Sequence, residues 1–374
     1  MEKQKQKQSS RRLLSLDTLR GFDMFFIMGG SGLIAALAVW FPGVFTEMLS
    51  NQMVHVEWDG LQHHDTIFPL FLFIAGISFP FSLAKQRAQG RSSADIYRKI
   101  ITRGIVLVLL GFLYNGILNF QFEHFRFASV LARIGLGWMF AALFFVNFRT
   151  VTRAWIAVAI LVGYWVLMMY VPVPGATADP LSYEGNWIGY IDRILFPNHL
   201  HVPGEFDPEG VLSTIPAIVT AMLGMFTGEY IKTQKKGLTE TRKVLNLVVA
   251  GILLLVVGLL WAQVFPINKK LWSSSFVCVV GAYSVLMFAL FYYIIDVRGW
   301  KRWTLFFKVI GLNSITIYLA QKFISFSYTN GKIFGGLVSV MPDNMQPFVE
   351  SLGYVALCWI FLYILYRQRI FLKV

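Results

Sequence analysis

The chain has 374 residues, of which 56% are hydrophobic, 16% aromatic and only 14% charged. These proportions are far from those of a soluble globular protein and point to a lipid environment. The net charge of +13 does not indicate nucleic-acid binding, because the basic residues fall in short segments between long apolar runs.

A bilayer core about 30 Å thick needs roughly 20 apolar residues per spanning helix. Ten such runs occur, in chain order Phe22–Trp40, Thr66–Ala84, Ile100–Asn119, Ala128–Asn147, Trp155–Val171, Val211–Ile231, Leu245–Phe265, Phe276–Ile295, Leu305–Ile324 and Val349–Tyr366. Core helices of a soluble protein would show a polar face every 3.6 residues, and Ile105–Leu113 and Ile252–Leu260 show none. The first run follows a 21-residue basic start and has no small-residue cleavage site, so it reads as a retained helix rather than a signal peptide. The fold class expected is an all-α polytopic transmembrane bundle of about ten spans. A disordered basic tail over 1–12 would precede a single membrane domain over 13–374. Cys278 and Cys358 both fall inside spans and read as small apolar residues rather than as a disulfide or a metal site.

Lysine and arginine mark cytoplasmic segments. With the N-terminus placed inside, the inner segments hold 24 of these residues and the outer loops 5. This places both termini in the cytoplasm and makes the chain a multi-pass protein of the cell's inner membrane. The outer loops are the polar ones. The segment 41–65 has no lysine or arginine but carries three histidines, two glutamates and two aspartates.

Ionisable and amide side chains inside spans are costly and call for a partner or a role. Asp23, Arg103, Asn115, Arg133, Lys308, Asn313, Gln321 and Lys322 are of this kind. Asn313, Thr316 and Gln321 share one face of the ninth run, which lines either a wet or a protein-filled interior. Arg133 lies on one face with Ser129 and Arg126, favouring a cavity open to the outside. Lys308 and Arg103 are near enough to the inner boundary to snorkel. Gly29-Gly30-Ser31-Gly32 is no phosphate loop, because no Gly-Lys-Ser/Thr follows, and is expected to allow close helix packing.

The densest cluster is His55-Val-Glu57-Trp58-Asp59-Gly60-Leu-Gln-His63-His64-Asp65 at the mouth of the second run. An imidazole beside carboxylates suits a general base or a nucleophile near neutral pH. The same residues are also consistent with a loop whose histidines only cap helices. A metal site is not expected, because adjacent histidines point different ways.

Several segments together resemble the transmembrane heparan-α-glucosaminide N-acetyltransferases. They are Ser15-Leu16-Asp17-Thr18-Leu19-Arg20-Gly21, His55-x-x-Trp58-Asp59-Gly60 followed by Asp65-x-x-Phe68-Pro69, Phe206-Asp207-Pro208-Glu209-Gly210, Pro266-Ile267-Asn268-Lys269-Lys270-Leu271-Trp272-Ser273 and Asn313-Ser314-Ile315. The resemblance runs from about Leu13 to the end of the chain. Two departures are expected: the soluble domain that precedes the first helix of the animal enzymes is missing, and Gln321 stands where the family has a histidine.

The resemblance implies an acetyl-CoA-dependent acyltransferase moving acetyl from the cytoplasm to the amino group of a glucosamine-type sugar outside. It matches His55 to the family's catalytic histidine. Beside it, Asp65 or Asp59 would orient the imidazole, and Asn268, Lys269 or Asn313 would stabilise the thioester oxyanion. Trp58, Asp207, Glu209 and Trp272 would contribute to the sugar site, with Trp58 and Trp272 as stacking faces. Arg20, Arg133 and Ser314 would hold the donor. Direct attack of the amine and an acetyl-His55 intermediate both fit. A transporter of a sugar or sugar-lipid precursor is the alternative reading. The partners expected are the bilayer, the amino sugar and, for a homo-oligomer, further copies of the chain.

Overall fold

The computed structural model describes residues 13–197, 199–201 and 206–372; the expected tail over 1–12 lies outside them. Among the described residues there are fifteen α-helices and no strand, so the all-α expectation holds. Eight helices are long and apolar enough to cross a membrane, which makes this a multi-pass membrane protein.

The first span comprises α1 (Leu14–Phe25) and α2 (Ser31–Trp40), joined by a π-turn over Phe26–Gly30. Gly29 sits there at φ 127° with Tyr354 2.9 Å from where its Cβ would be, while a Cβ on Gly32 would meet no other part of the protein within 4 Å. The small-residue run therefore allows a break in the helix and, at Gly29, the close approach of Tyr354 and Val355 that its composition suggests.

A short helix, α3 (Val44–Asn51), leads to the long α4 (His63–Ala88); α5 (Ser93–Tyr114), α6 (Val130–Asn147), α7 (Thr150–Tyr170) and the short α8 (Trp187–Leu195) follow. Then come α9 (Val211–Lys232), α10 (Glu240–Trp261), α11 (Ser274–Phe291), α12 (Thr304–Leu312), α13 (Ser314–Phe323), α14 (Phe326–Ser339) and α15 (Gln346–Arg367).

The count of spans falls short of ten. Helices α12 and α13, within the ninth run, are bent by 67° at a break and add a span if the pair is taken as one, with Asn313 at the break in a non-helical conformation. That makes nine. The 22-residue α5 is long enough, but Arg98, Lys99 and Arg103 in its first half leave no 18-residue window with fewer than three charges. The apolar run read as Ile100–Asn119 stops at Tyr114, where Asn115 and a left-handed Gly116 end the helix.

The most apolar windows of α4, α9 and the α11 span are 72%, 78% and 67% buried, against 28%, 17% and 22% for α7, α10 and α15. The first three form the interior and the others present their apolar faces outward. Helices α4 and α9 cross without side chains between them. A Cβ on Gly224 would lie 2.0 Å from the Phe73 carbonyl oxygen, and one on Gly76 2.3 Å from that of Ala221. Helices α1 and α12 approach in the same way, Gly21 against Phe307 and Gly311 against Asp17. Both cysteines are buried and free.

These crossings fix α4 as the axis of the site. At its N-terminal end gather the loops 52–62, 171–186, 206–210 and 262–273. Its C-terminal half meets Arg20 and the basic residues of α5 towards the other.

Candidate active site

Asp65 is the third residue of α4 and is almost fully buried. Its Oδ1 lies 2.7 Å from Nδ1 of His55, and its Oδ2 accepts the backbone N–H groups of Val56 and Gln62, both at 3.2 Å. One carboxylate thus closes the loop 56–62 on itself and holds the imidazole. A second tie comes from Gln52, whose side-chain and backbone oxygens accept the N–H groups of His63 and His64. The His55 side chain remains half exposed, so one edge of the ring faces the opening.

Lys269 completes the group from a segment over two hundred residues away in sequence. Gly60, at φ 120°, donates its N–H to the Ile267 carbonyl at 2.8 Å. This bond clamps the Asn268–Ser273 turn against the histidine loop. Within the turn Asn268 Oδ1 accepts the Leu271 N–H and Ser273 Oγ accepts that of Asn268. Lys269 Nζ lies 2.9 Å and 3.3 Å from the two nitrogens of His55 and 3.3 Å from Asp65 Oδ1.

Asp65 can only accept, so the 2.7 Å contact assigns the proton of His55 to Nδ1. Nε2 is then the unprotonated nitrogen of the neutral ring, and Lys269 Nζ, nearer Nδ1 than Nε2, lies against the ring rather than along the Nε2 lone pair. This is the arrangement of a base oriented by a carboxylate. Burial lowers the pKa of Lys269 despite the nearby carboxylates of Asp65 and Glu209, so its neutral form is more accessible than that of an exposed lysine.

The Asp207-Pro-Glu-Gly turn lies next to this group. Arg126 grips Asp207 with two hydrogen bonds of 2.6 Å and also bonds Glu209. Burial alone would lower the Arg126 pKa, but the bonds and charges of Asp207 and Glu209 raise it above its ordinary value. The buried Arg133 donates to the Pro208 carbonyl and to Ser213 and lies 4.8 Å over the Trp272 ring. Behind the turn, Asp192 accepts the N–H groups of Asp207 and Val211. Its burial raises its pKa to about 6.

The rim carries an aromatic pair. Trp58 and Tyr183 have ring centroids 4.0 Å apart, and Lys270 Nζ bonds the Tyr183 hydroxyl at 2.5 Å. Lys269 and Lys270 thus diverge, one to the histidine and the other to the rim.

About 20 Å along α4 from Asp65, at 1.5 Å per residue, Ser78 accepts a hydrogen bond of 3.3 Å from Arg20. Arg20, Ser78, Arg103 and Ser314 line a cavity of about 230 Å³ together with Phe71 and Ile315. Phe71 and Ile315 also line a small apolar cavity with Met24, Phe68 and Tyr318, and Phe68 packs edge-on against Trp272. Arg103 forms part of a further cavity of about 630 Å³ with Arg91, Arg98 and Lys99. Phe71 and Ile315 thus line both the polar cavity at the basic end and the small apolar one, whose Phe68 reaches Trp272.

The structure brings together His55, Asp65 and Lys269, with Asp207, Glu209 and Arg133 beside them, and separately Arg20 with Ser314. It sets others apart. Asp59 is exposed and makes none of these bonds. Trp272 is fully buried and its faces are taken by Arg133 and Phe68, so it offers no open stacking surface. Asn268 is buried, with its backbone N–H and Oδ1 bonded within its own turn and its Nδ2 without a partner. Asn313 donates to the Ile370 carbonyl and accepts from Leu372 N–H, clasping the C-terminal segment at the Arg20 end. Arg133, expected with the donor, lies at the His55 end. Arg103, expected to snorkel, stacks on Trp138 at 4.1 Å. Gln321 bonds the Tyr354 hydroxyl at 2.8 Å. Sequence reasoning missed Tyr183 and Lys270 at the rim, and His64, whose ring bonds Ser31 and lies 4.5 Å from that of His55.

No protein-family profile matches the chain. It is 28% identical over 422 aligned positions to the heparan-alpha-glucosaminide N-acetyltransferase of Mus musculus, covering 98% of this chain and 61% of that protein. It is 27% identical over 421 positions to the protein of the same name from Homo sapiens, with 97% and 60% covered. The chain therefore spans about three fifths of the length of these relatives.

Proposed function

We propose, taking as premise that the chain belongs to the heparan-alpha-glucosaminide N-acetyltransferase family, that it is a membrane-embedded N-acetyltransferase acting on a glucosamine-type amino sugar. The observation that carries this reading is the His55–Asp65 bond at the mouth of α4, which leaves Nε2 of a half-exposed imidazole unprotonated, with the Lys269 amine against the ring. His55 takes the proton of the acceptor ammonium as the amine attacks, and Asp65 holds the ring and stabilises the imidazolium that forms. The Arg126–Arg133 pair supplies positive charge where the oxyanion develops. The Trp58–Tyr183 pair offers a ring face for the sugar.

Acetyl-CoA is the proposed donor and supplies the activated thioester. The residues at the basic end fit it: Arg20, Arg103, Ser78 and Ser314 around one cavity, with Arg91, Arg98 and Lys99 beyond, match a polyphosphate. The apolar stretch past Phe71 and Ile315 suits a slender pantetheine arm. The lysine and arginine asymmetry supports a cytoplasmic donor face and an outer acceptor face in the inner membrane.

The direction is tested in proteoliposomes with glucosamine enclosed and labelled acetyl-CoA added outside. Molecules oriented with their basic end outward should produce N-acetylglucosamine inside. Uptake of unmodified sugar with no acetylation would replace the enzyme by a carrier.

A further inference from the structure

We infer that Lys269 is itself an acetyl acceptor of this site, so that without an amino sugar the protein acetylates its own Lys269 and is thereby blocked. The inference rests on the acetyltransferase reading and concerns an amine that the chain itself supplies.

Three observations carry it. First, Lys269 Nζ lies against the His55 ring, 2.9 Å from Nδ1 and 3.3 Å from Nε2, within the reach a general base needs to deprotonate an attacking amine. It stands where the amino group of a sugar would have to stand. Second, it is held there. The Asn268–Ser273 turn is fastened internally and through Gly60 to the histidine loop, so the amine is presented to the base at high effective concentration. Third, Lys270 next to it is directed away to Tyr183 and the Trp58 face. The two lysines share sequence context and differ in what they touch, so one is an internal control for the other. Burial of Lys269 also favours its neutral, nucleophilic form.

The step balances without a further reactant. The Lys269 nitrogen attacks the thioester carbonyl, a C–N bond forms and the C–S bond breaks. His55 takes the ammonium proton and passes it to the departing thiolate, leaving an acetamide and a free thiol. The product has lost the cation that pairs with Asp65 at 3.3 Å and places an acetyl group against His55, where it obstructs an incoming sugar. Bound amino sugar would displace the lysine amine and protect it.

The test uses the full chain purified in lipid nanodiscs, incubated with labelled acetyl-CoA with and without saturating glucosamine and read by peptide mass spectrometry. Lys269 should be labelled at least about tenfold faster than Lys270. Glucosamine should slow that labelling, and His55→Ala should abolish it. If His55→Ala does not fold, Asp65→Asn should slow the labelling while surface lysines keep their background rate. A preparation that acetylates glucosamine but labels Lys269 no faster than Lys270 overturns this inference and leaves the acetyltransferase reading standing. A preparation that acetylates neither overturns both. Labelling of Lys269 without transfer to glucosamine supports the inference and shifts the acceptor sugar.

Discussion

Replacing Asp65 by Asn keeps the shape of the side chain and removes its charge. In the wild type one carboxylate takes the His55 Nδ1 proton at 2.7 Å and two backbone N–H groups at 3.2 Å. The amide can still accept through one oxygen, but not on both sides at once. The loss on the histidine side is that of a hydrogen bond to a charged group, about 1.5–3 kcal/mol. At 1.36 kcal/mol per factor of ten, this corresponds to a drop in kcat of roughly 10- to 150-fold. Initial rates of acetyl transfer at saturating donor and acceptor measure it, with thermal unfolding of the same preparations as a check on folding. Asp59→Asn, which removes a carboxylate only four residues from His55 but outside this network, should stay within about twofold of wild type. If Asp65→Asn keeps more than half of the wild-type kcat, or if Asp59→Asn falls as far, Asp65 does not orient the base.

Three further outcomes follow from the packing and electrostatics. Gly224→Ala would place a methyl group 2.0 Å from the Phe73 carbonyl oxygen and should cost about 1–3 kcal/mol by forcing α4 and α9 apart; an unchanged thermal midpoint would refute the close crossing. Arg126→Gln leaves Asp207 and Glu209 without their guanidinium, a loss of about 3–5 kcal/mol for a buried pair, taken at the lower end because Arg126 is 25% exposed. Its midpoint should fall, and an unchanged one would show that the Asp-Pro-Glu-Gly turn holds without the arginine. Asp192 keeps its proton up to about pH 6 when folded, against an ordinary value of 3.8. Between those values the folded state binds more protons than the unfolded one, so the contribution of Asp192 to stability falls as pH rises through the window. The midpoint of wild type minus that of Asp192→Asn should therefore decrease from pH 4 to about pH 6.5 and then level off. A difference that rises instead would show the pKa to be lowered rather than raised.

What could be read from the chain alone follows from which physical effects are local. Uniform apolar runs such as Ile252–Leu260 announce spans because lipid imposes composition directly. The bend at Asn313 gave no such signal, since a polar residue inside an apolar run reads equally as a helix–helix bond or a break. His55 and Asp65 were legible because they sit ten residues apart around one turn. The choice between Asp65 and Asp59 was not, because it depends on which carboxylate begins α4. Lys269 could be named from its motif, but its contact with His55 depends on the bond from Gly60 to Ile267. Trp272 read as a stacking face for the sugar. Its φ of 51° turns the ring inward beneath Arg133, a conformation that no pattern of neighbours foretells. Arg103 was close enough to a boundary to snorkel, and only the packing of α5 on α6 places Trp138 under its guanidinium.

The central claim is that His55, held by Asp65, accepts the proton of an amino sugar during acetyl transfer. The most direct measurement supplies purified protein in nanodiscs with labelled acetyl-CoA and glucosamine and follows labelled N-acetylglucosamine for wild type and His55→Ala. Labelled product from the wild type, reduced at least about a hundredfold in a folded His55→Ala, is the result expected. Equal turnover by the two proteins would contradict it.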